Sequence, residues 1–302
     1  MDDYPENEPR RRSSTWLIGI IIAAVAFFLF FMHSEKNPIT GEKQYVSISP
    51  QQEVRLGLQA APQMAAQMGG EISSSDARTQ LVHRIGNEII QKSNAHEGPW
   101  QFQFHLLADP KTVNAFALPG GQIFITLGLL NRLQTEAQLA GVLAHETGHV
   151  IQRHSAQQMA KSQLGQLLVL ATGIGLSDSN HPDRARQSAM IASVVNQMTQ
   201  LRYSRKDELE ADEWGIRLMR EAGYTPQAMI EVMEILEKAV PGGHQPEMLL
   251  THPYPKNRME KIQEYIQAHP IGANLREGRN IKDLIDTDST SDEDFSRQPA
   301  FQ

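Results

Sequence analysis

Residues 135–154 read TEAQLAGVLAHETGHVIQRH and carry His145, Glu146 and His149 in the spacing HExxH. Thr135 predicts a helix N-cap, with Gln138 three residues on as its capping-box partner. Leu139, Val142, Leu143, Val150 and Ile151 then fall at helical spacing and predict one apolar face. Ala140, Gly141, Ala144 and Gly148 are small enough to admit a second backbone closely. Residues i and i+4 share a helix face, so both imidazoles can reach one zinc ion, with Glu146 beside the water it would hold. The plainer reading is a buried helix with two hydrogen-bonded core histidines, but it leaves Glu146 without a purpose.

A two-histidine site needs a third ligand. The extension HExxHxxGxxH is absent, because Gln152 and Ser155 occupy the extra positions. His154 lies five residues past His149 and falls on the wrong side of a continuous helix, so it reads as exposed. Another class of zinc protease takes a glutamate from a later helix. Residues 204–223, SRKDELEADEWGIRLMREAG, supply a candidate. Glu208 and Asp212 share a face at i and i+4. Glu208 could bind zinc while Asp212 accepts the outer N–H of a ligand histidine and fixes its tautomer. Glu210 points about 160° away and is the poorer ligand. Taken alone, this segment reads as an acidic solvated face.

With these pieces the chain resembles the HtpX-like and CAAX prenyl protease-like zinc metallopeptidases, closest to their single-anchor or soluble bacterial branch. Further matches are Tyr203-Ser204-Arg205 before the Glu208 run, Thr251-His252-Pro253 followed by Arg258, residues 114–121 (NAFALPGG), and Asn37-Pro38 with Thr40-Gly41. The resemblance covers roughly residues 37–268 and rests on several ordered motifs. It implies His145, His149 and Glu208 as ligands of one zinc ion per chain, and Glu146 as general base. It also implies a histidine beside the zinc at His252. The fold expected is α+β and predominantly α-helical: a zincin-type (gluzincin) domain with a small β-sheet beside the HExxH helix and one N-terminal transmembrane helix.

Composition bounds the remaining possibilities. The chain has no cysteine, which excludes disulfides, thiolate ligands, a lipoprotein anchor and a thiol nucleophile. Net charge is −7, and nothing suggests a nucleic-acid partner. Residues 15–32 (TWLIGIIIAAVAFFLFFM) are uncharged, and Arg10, Arg11 and Arg12 precede them. They predict a single-pass anchor in the inner membrane, with the N-terminus cytoplasmic and the catalytic domain periplasmic. A cleaved signal peptide is the competing reading, but no A-x-A site follows. The expected organisation is a disordered cytoplasmic tail (1–12), the anchor (13–34), a linker (35–48), the peptidase domain (49–276) and a disordered acidic tail (277–302).

Within the domain, Ser49-Pro50 opens a helix to about Met68, and Asp76 caps another to Ser93. Residues 100–107 partly alternate and predict a strand, and 113–126 predict two more around Pro119-Gly120-Gly121. The edge at Asn114, Ala115, Phe116 and Ala117 either pairs with an extended peptide substrate or is plain structure. Residues 156–176 predict a core or cleft-covering helix, 177–183 a polar loop and 184–203 a further helix. Thr225-Pro226 opens another helix, and 255–268 form the last one.

Two functions remain open. The first is a membrane-anchored zinc endopeptidase acting on unfolded or misassembled envelope proteins, the substrate class coming from the resemblance alone. The second is a chaperone or assembly factor with a latent zinc site. His252 has two candidate roles beside its bland one as a loop histidine. It is a transition-state donor, or a fourth ligand holding the enzyme latent until its loop moves, with Gly242-Gly243 as hinge. Arg258 pairs with a carboxylate near the site or forms a salt bridge on the last helix.

Overall fold

A computed structural model describes residues 15–32, 34–171, 194–196, 202–239, 246–252, 257–270 and 275–285. The tail at 1–12, the loop at 177–183, most of the helix at 184–203, Gly242-Gly243, Pro253 and Pro255 lie outside them.

Helix α1 runs Thr15–Met32 and is followed by an antiparallel pair, β1 Ser34–Lys36 and β2 Lys43–Tyr45. Helices α2 (Pro50–Gln67) and α3 (Ala77–Lys92) follow. Ser49 and Gln52 close a capping box at the start of α2, and the Asp76 side chain accepts the Arg78 N–H at the start of α3. A three-stranded sheet comes next, β3 Gln103–Leu107, β4 Ala115–Ala117 and β5 Gln122–Thr126, in the order β3-β5-β4. β3 pairs parallel with β5, and β4 pairs antiparallel with it in the register Ala115↔Ile125 to Ala117↔Ile123. Gly120 and Gly121 turn the chain between β4 and β5 with φ of +83° and +111°. A Cβ on Gly120 would stand 2.4 Å from the Val54 backbone, so α2 closes on this turn only because glycine is there.

After the short α4 (Leu127–Leu130), helix α5 spans Glu136–Ile151 and is buried along its whole length. The rest are α6 (His154–Ala171), α7 (Arg205–Glu221), α8 (Gln227–Lys238), α9 (Glu247–Thr251) and α10 (Arg258–Ala268). The molecule is thus a mainly helical α+β protein. Its larger core joins α3, the sheet, α5, α7 and α8 through residues such as Ile85, Ile123, Leu139, Leu143, Leu218 and Met229. A helix that is buried all round can present polar side chains to a site closed off from water, and α5 does so.

Three boundaries differ from expectation. The helix predicted through His154 ends at Ile151, and a new one starts at His154. The stretch expected as a linker is packed: Asn37 Nδ2 donates to the Ile151 carbonyl at 2.6 Å, and Gln44 Nε2 to the Gln152 carbonyl at 2.9 Å. These bonds occupy carbonyls freed where α5 ends. At the other end of α5, the segment drawn as a tail from 277 is ordered to 285. Glu136 N–H donates to the Arg279 carbonyl and Ala137 N–H to that of Glu277, and Ile281 is buried. Helix α1 forms where the anchor was expected, but among the described residues no helix is long and apolar enough to cross a membrane.

Candidate active site

Thr135 Oγ1 accepts the Gln138 N–H and starts α5, while the Gln138 side chain accepts the N–H of Gln134 one residue upstream of the cap. Two turns later His145 and His149 leave the same face, with their Nε2 atoms 3.1 Å apart. Helix α7 brings Glu208 to them. Glu208 Oε1 lies 3.5 Å from His149 Nε2, and Oε2 lies 3.7 Å from His145 Nε2. The two helices come this close because Gly148 meets Ala211: a Cβ at 148 would stand 2.7 Å from the Ala211 carbonyl oxygen.

His252 follows α9 and completes the group. Its Nδ1 lies 2.9 Å from Glu208 Oε1 and 3.4 Å from His145 Nε2. All four side chains are buried and offer donor atoms within 4.8 Å of one another. Ligands about 2.1 Å from a tetrahedral zinc stand roughly 3.4 Å apart, so the donor set and its spacing fit that ion. The Glu146 carboxylate lies beside the group, fully buried, and neither oxygen has a hydrogen-bond partner among the described residues. Glu146 Oε1 lies 3.7 Å from His252 Nε2, and a buried carboxylate without hydrogen bonds beside these donors suits a polar group held among them.

Asp212 Oδ1 lies 2.9 Å from His145 Nδ1. Arg258, on α10, is bidentate to Asp212 at 2.7 Å through Nε and Nη2, and its Nη1 lies 2.6 Å from Glu208 Oε2. The site is therefore a buried lattice of alternating charge. Burial by itself raises the Glu208 carboxyl, but the charges of His252 and Arg258 override it and hold the group well below its ordinary range. Asp212 is likewise lowered against its burial, by Arg258. Burial keeps His149 far below its ordinary value, hence neutral and able to bind a cation. Burial also pushes Glu146 up, which is the direction a general base requires.

Sequence reading missed three partners of this group. Tyr203 stacks on the His149 ring at 3.8 Å between centroids. His154 is buried rather than exposed, and its Nδ1 lies 2.8 Å from His149 Nδ1. Glu210 stays out of the group, as its angle on α7 predicts, but it binds His154 at 3.2 Å. The position of Tyr203 just before α7 was visible in the sequence, while the backbone turn that aims His154 was not. The edge residues supply no donor to the cluster, although β4 packs against α5. Ala115, Phe116 and Ala117 form buried β4 at the sheet edge, and Asn114 precedes it with a buried, unpartnered Oδ1.

Two histidines from one helical turn, a glutamate from a distant helix and a buried glutamate free of hydrogen bonds beside them define the class of HExxH metallopeptidases. The model of peptidase family M48 matches residues 76–266, and the chain belongs to that family and is a metalloendopeptidase. It is 32% identical over 262 residues to mitochondrial metalloendopeptidase OMA1 of Schizosaccharomyces pombe, covering 85% of this chain and 74% of that one. It is 29% identical over 253 residues to the β-barrel assembly-enhancing protease of Escherichia coli K12, covering 80% of this chain and 50% of the relative. A mitochondrial metalloendopeptidase OMA1 of Arabidopsis thaliana is 32% identical over 213 residues, 66% of this chain and 41% of the relative. The chain thus spans about three quarters of the first relative and half or less of the other two.

Proposed function

We propose that His145, His149 and Glu208 hold one zinc ion, and that Glu146 is the general base of peptide hydrolysis. A zinc ion held there supplies Lewis acidity, bringing water towards a pKa of ~7 and polarising a carbonyl. Glu146 takes the proton of the attacking water and passes it to the leaving amine, work for which its raised affinity for protons suits it. Asp212 accepts the His145 Nδ1 proton at 2.9 Å and keeps Nε2 free for the metal. Arg258 fixes both carboxylates at their angles. The observation that carries the reading is the buried Glu146 carboxylate, free of hydrogen bonds to the described residues, next to the three converging donors. Wild type should bind one zinc and cleave casein. Glu146→Gln should keep the zinc and lose at least about two orders of magnitude in rate. A Gln variant that cleaves like wild type removes Glu146 from the mechanism.

His252 reads best as a latch. Its Nδ1 takes the position a fourth ligand would take, and the whole cluster is closed from solvent. The Met248 N–H in α9 donates to the Val113 carbonyl two residues before β4, so the element that leads to His252 touches the chain just ahead of the edge strand. Displacing α9 would open the cluster and free Asn114 to Ala117 for an extended peptide in one motion. His252→Ala should then raise basal casein cleavage several-fold. A fall would assign it the donor role instead. The closed site also favours a second reading, an assembly factor that cleaves rarely.

For substrates and place, we extend what the relatives suggest. The name of the E. coli relative ties that protein to β-barrel assembly. Misassembled envelope proteins are our proposed substrates, with the apolar segment 13–34, of which α1 is the described part, as a single-pass inner-membrane anchor and the peptidase domain periplasmic. Ile20, Ile21, Val25, Phe28 and Phe31 in α1 are at least half exposed, which supports contact with lipid. Carbonate extraction of membranes tests the anchor: release of the chain into the soluble fraction would exclude it.

A further inference from the structure

Helix α5 stops two residues after His149. Gln152 caps it and Arg153 takes a φ of +56°, the only left-handed non-glycine residue among those described. That conformation is unfavourable for a residue other than glycine unless its surroundings impose it. Here they do. The Arg153 guanidinium is buried, with Nε on Glu53 at 2.7 Å, Nη1 on Glu35 at 2.7 Å and Nη2 on the Ile48 carbonyl at 2.8 Å. The turn breaks the helix, and His154 Nδ1 comes to lie 2.8 Å from His149 Nδ1.

The proton positions then follow from chemistry. His149 turns Nε2 towards the donor cluster, and with the proposed metal ion on that nitrogen its proton sits on Nδ1. That N–H donates to His154 Nδ1 at 2.8 Å. His154 must therefore carry its own proton on Nε2, which donates to Glu210 Oε2 at 3.2 Å. Glu210 is anchored in turn by Lys206 at 2.8 Å, one turn before it on α7. We infer that His154 and Glu210 are positioning residues for the metal ligand His149, fixing its tautomer and ring angle through an imidazole–carboxylate brace. The inference rests on the proposed assignment of His149 as a zinc ligand. Both ligand histidines would then be oriented by α7: His145 directly by Asp212, and His149 by Glu210 through His154. Tyr203 closes the remaining face of the His149 ring.

His154, Glu210 and Asp207 also lie close enough together to hold a cation of their own. The brace is preferred because His154 Nδ1 is already engaged and Asp207 Oδ2 accepts the Ser204 N–H at 2.9 Å. The test uses the full chain and measures zinc affinity by chelator competition, with the visible spectrum of the cobalt(II)-substituted protein as a second readout. His154→Ala should weaken zinc binding about 10- to 100-fold, the loss typical of a missing outer partner. His154→Asn places Oδ1 where Nδ1 was and should recover most of that loss. Glu210→Ala should weaken binding and shift the cobalt bands. If wild type binds one zinc and His154→Ala binds it within about twofold of wild type, the brace is overturned. Should His154→Ala fail to fold, an unchanged affinity and spectrum in Glu210→Ala overturns it. A second zinc equivalent that vanishes in Glu210→Ala overturns it too, by placing a cation on His154 Nε2. Wild type without any zinc would overturn the ligand assignment itself, and the brace with it.

Discussion

Arg258 is 2% exposed and stands between two carboxylates that are equally buried, Asp212 and Glu208. Its planar fork meets Asp212 through two parallel bonds, which lysine could not reproduce. Removing a buried charge is far costlier than the net worth of its pairs, because the partners are left facing each other unsatisfied. Arg258→Met should therefore destabilise the zinc-free protein by about 3–5 kcal/mol, measured by chemical denaturation in excess chelator. The deficit should shrink when zinc is added, since a cation beside Glu208 replaces part of the lost charge. An equal deficit with and without zinc would mean that Arg258 serves only the fold. Sequence reading left Arg258 open between these roles because nothing along the chain shows that a residue 50 positions past Glu208 returns to it.

At the level of elements, two helices built from opposite rules meet. Helix α5 is apolar and small on its contact face, whereas α7 is highly charged, with a buried stripe of Glu208, Ala211, Asp212 and Gly215. Contact at this stripe requires glycine at 148, where a Cβ would meet the Ala211 backbone at 2.7 Å, and is tight at Gly215, where one would lie 3.2 Å from His145 N. Gly148→Ala should force α7 outward, cost about 1–3 kcal/mol and weaken zinc binding, because Glu208 moves with α7. Denaturation and chelator competition on one sample check both effects, and an unaltered zinc affinity would show that the site tolerates the shift.

The same pair of helices explains how far the sequence could be read. Caps at Ser49, Asp76 and Thr135 and the i, i+4 pairs were legible, because they depend on local spacing alone. His154 was misplaced because the reading assumed a continuous helix. The break at Arg153 is imposed by Glu35 and Glu53, about 100 residues upstream, and no local signal announces it. The packing of 34–48 and 275–285 on the two ends of α5 escaped for the same reason. Polar segments look like linkers until the helix end that accepts them is known.

For the molecule as a whole, the domain is closed by contacts between parts far apart in the chain. Glu88 on α3 accepts from Tyr224 Oη at 2.7 Å, from Lys92 at 2.5 Å, and from Arg276 in the segment that returns along α5. One carboxylate thus fastens the N-terminal helices, the end of α7 and the C-terminal segment together. Burial alone would raise this carboxyl, but the three donors override it and bring it down to about 2 from 4.5. A group whose folded value is depressed stabilises the fold above its unfolded value and loses that effect as pH falls towards the folded one. The contribution of Glu88 should be complete above about pH 4.5 and vanish on the way to about pH 2. Glu88→Gln should therefore lower the denaturation midpoint at pH 7, and its gap to wild type should close between those two values. Measuring both proteins in chelator keeps protonation of the metal site out of the comparison. A gap that stays constant down to pH 2 would mean that shape, not charge, fastens these three segments.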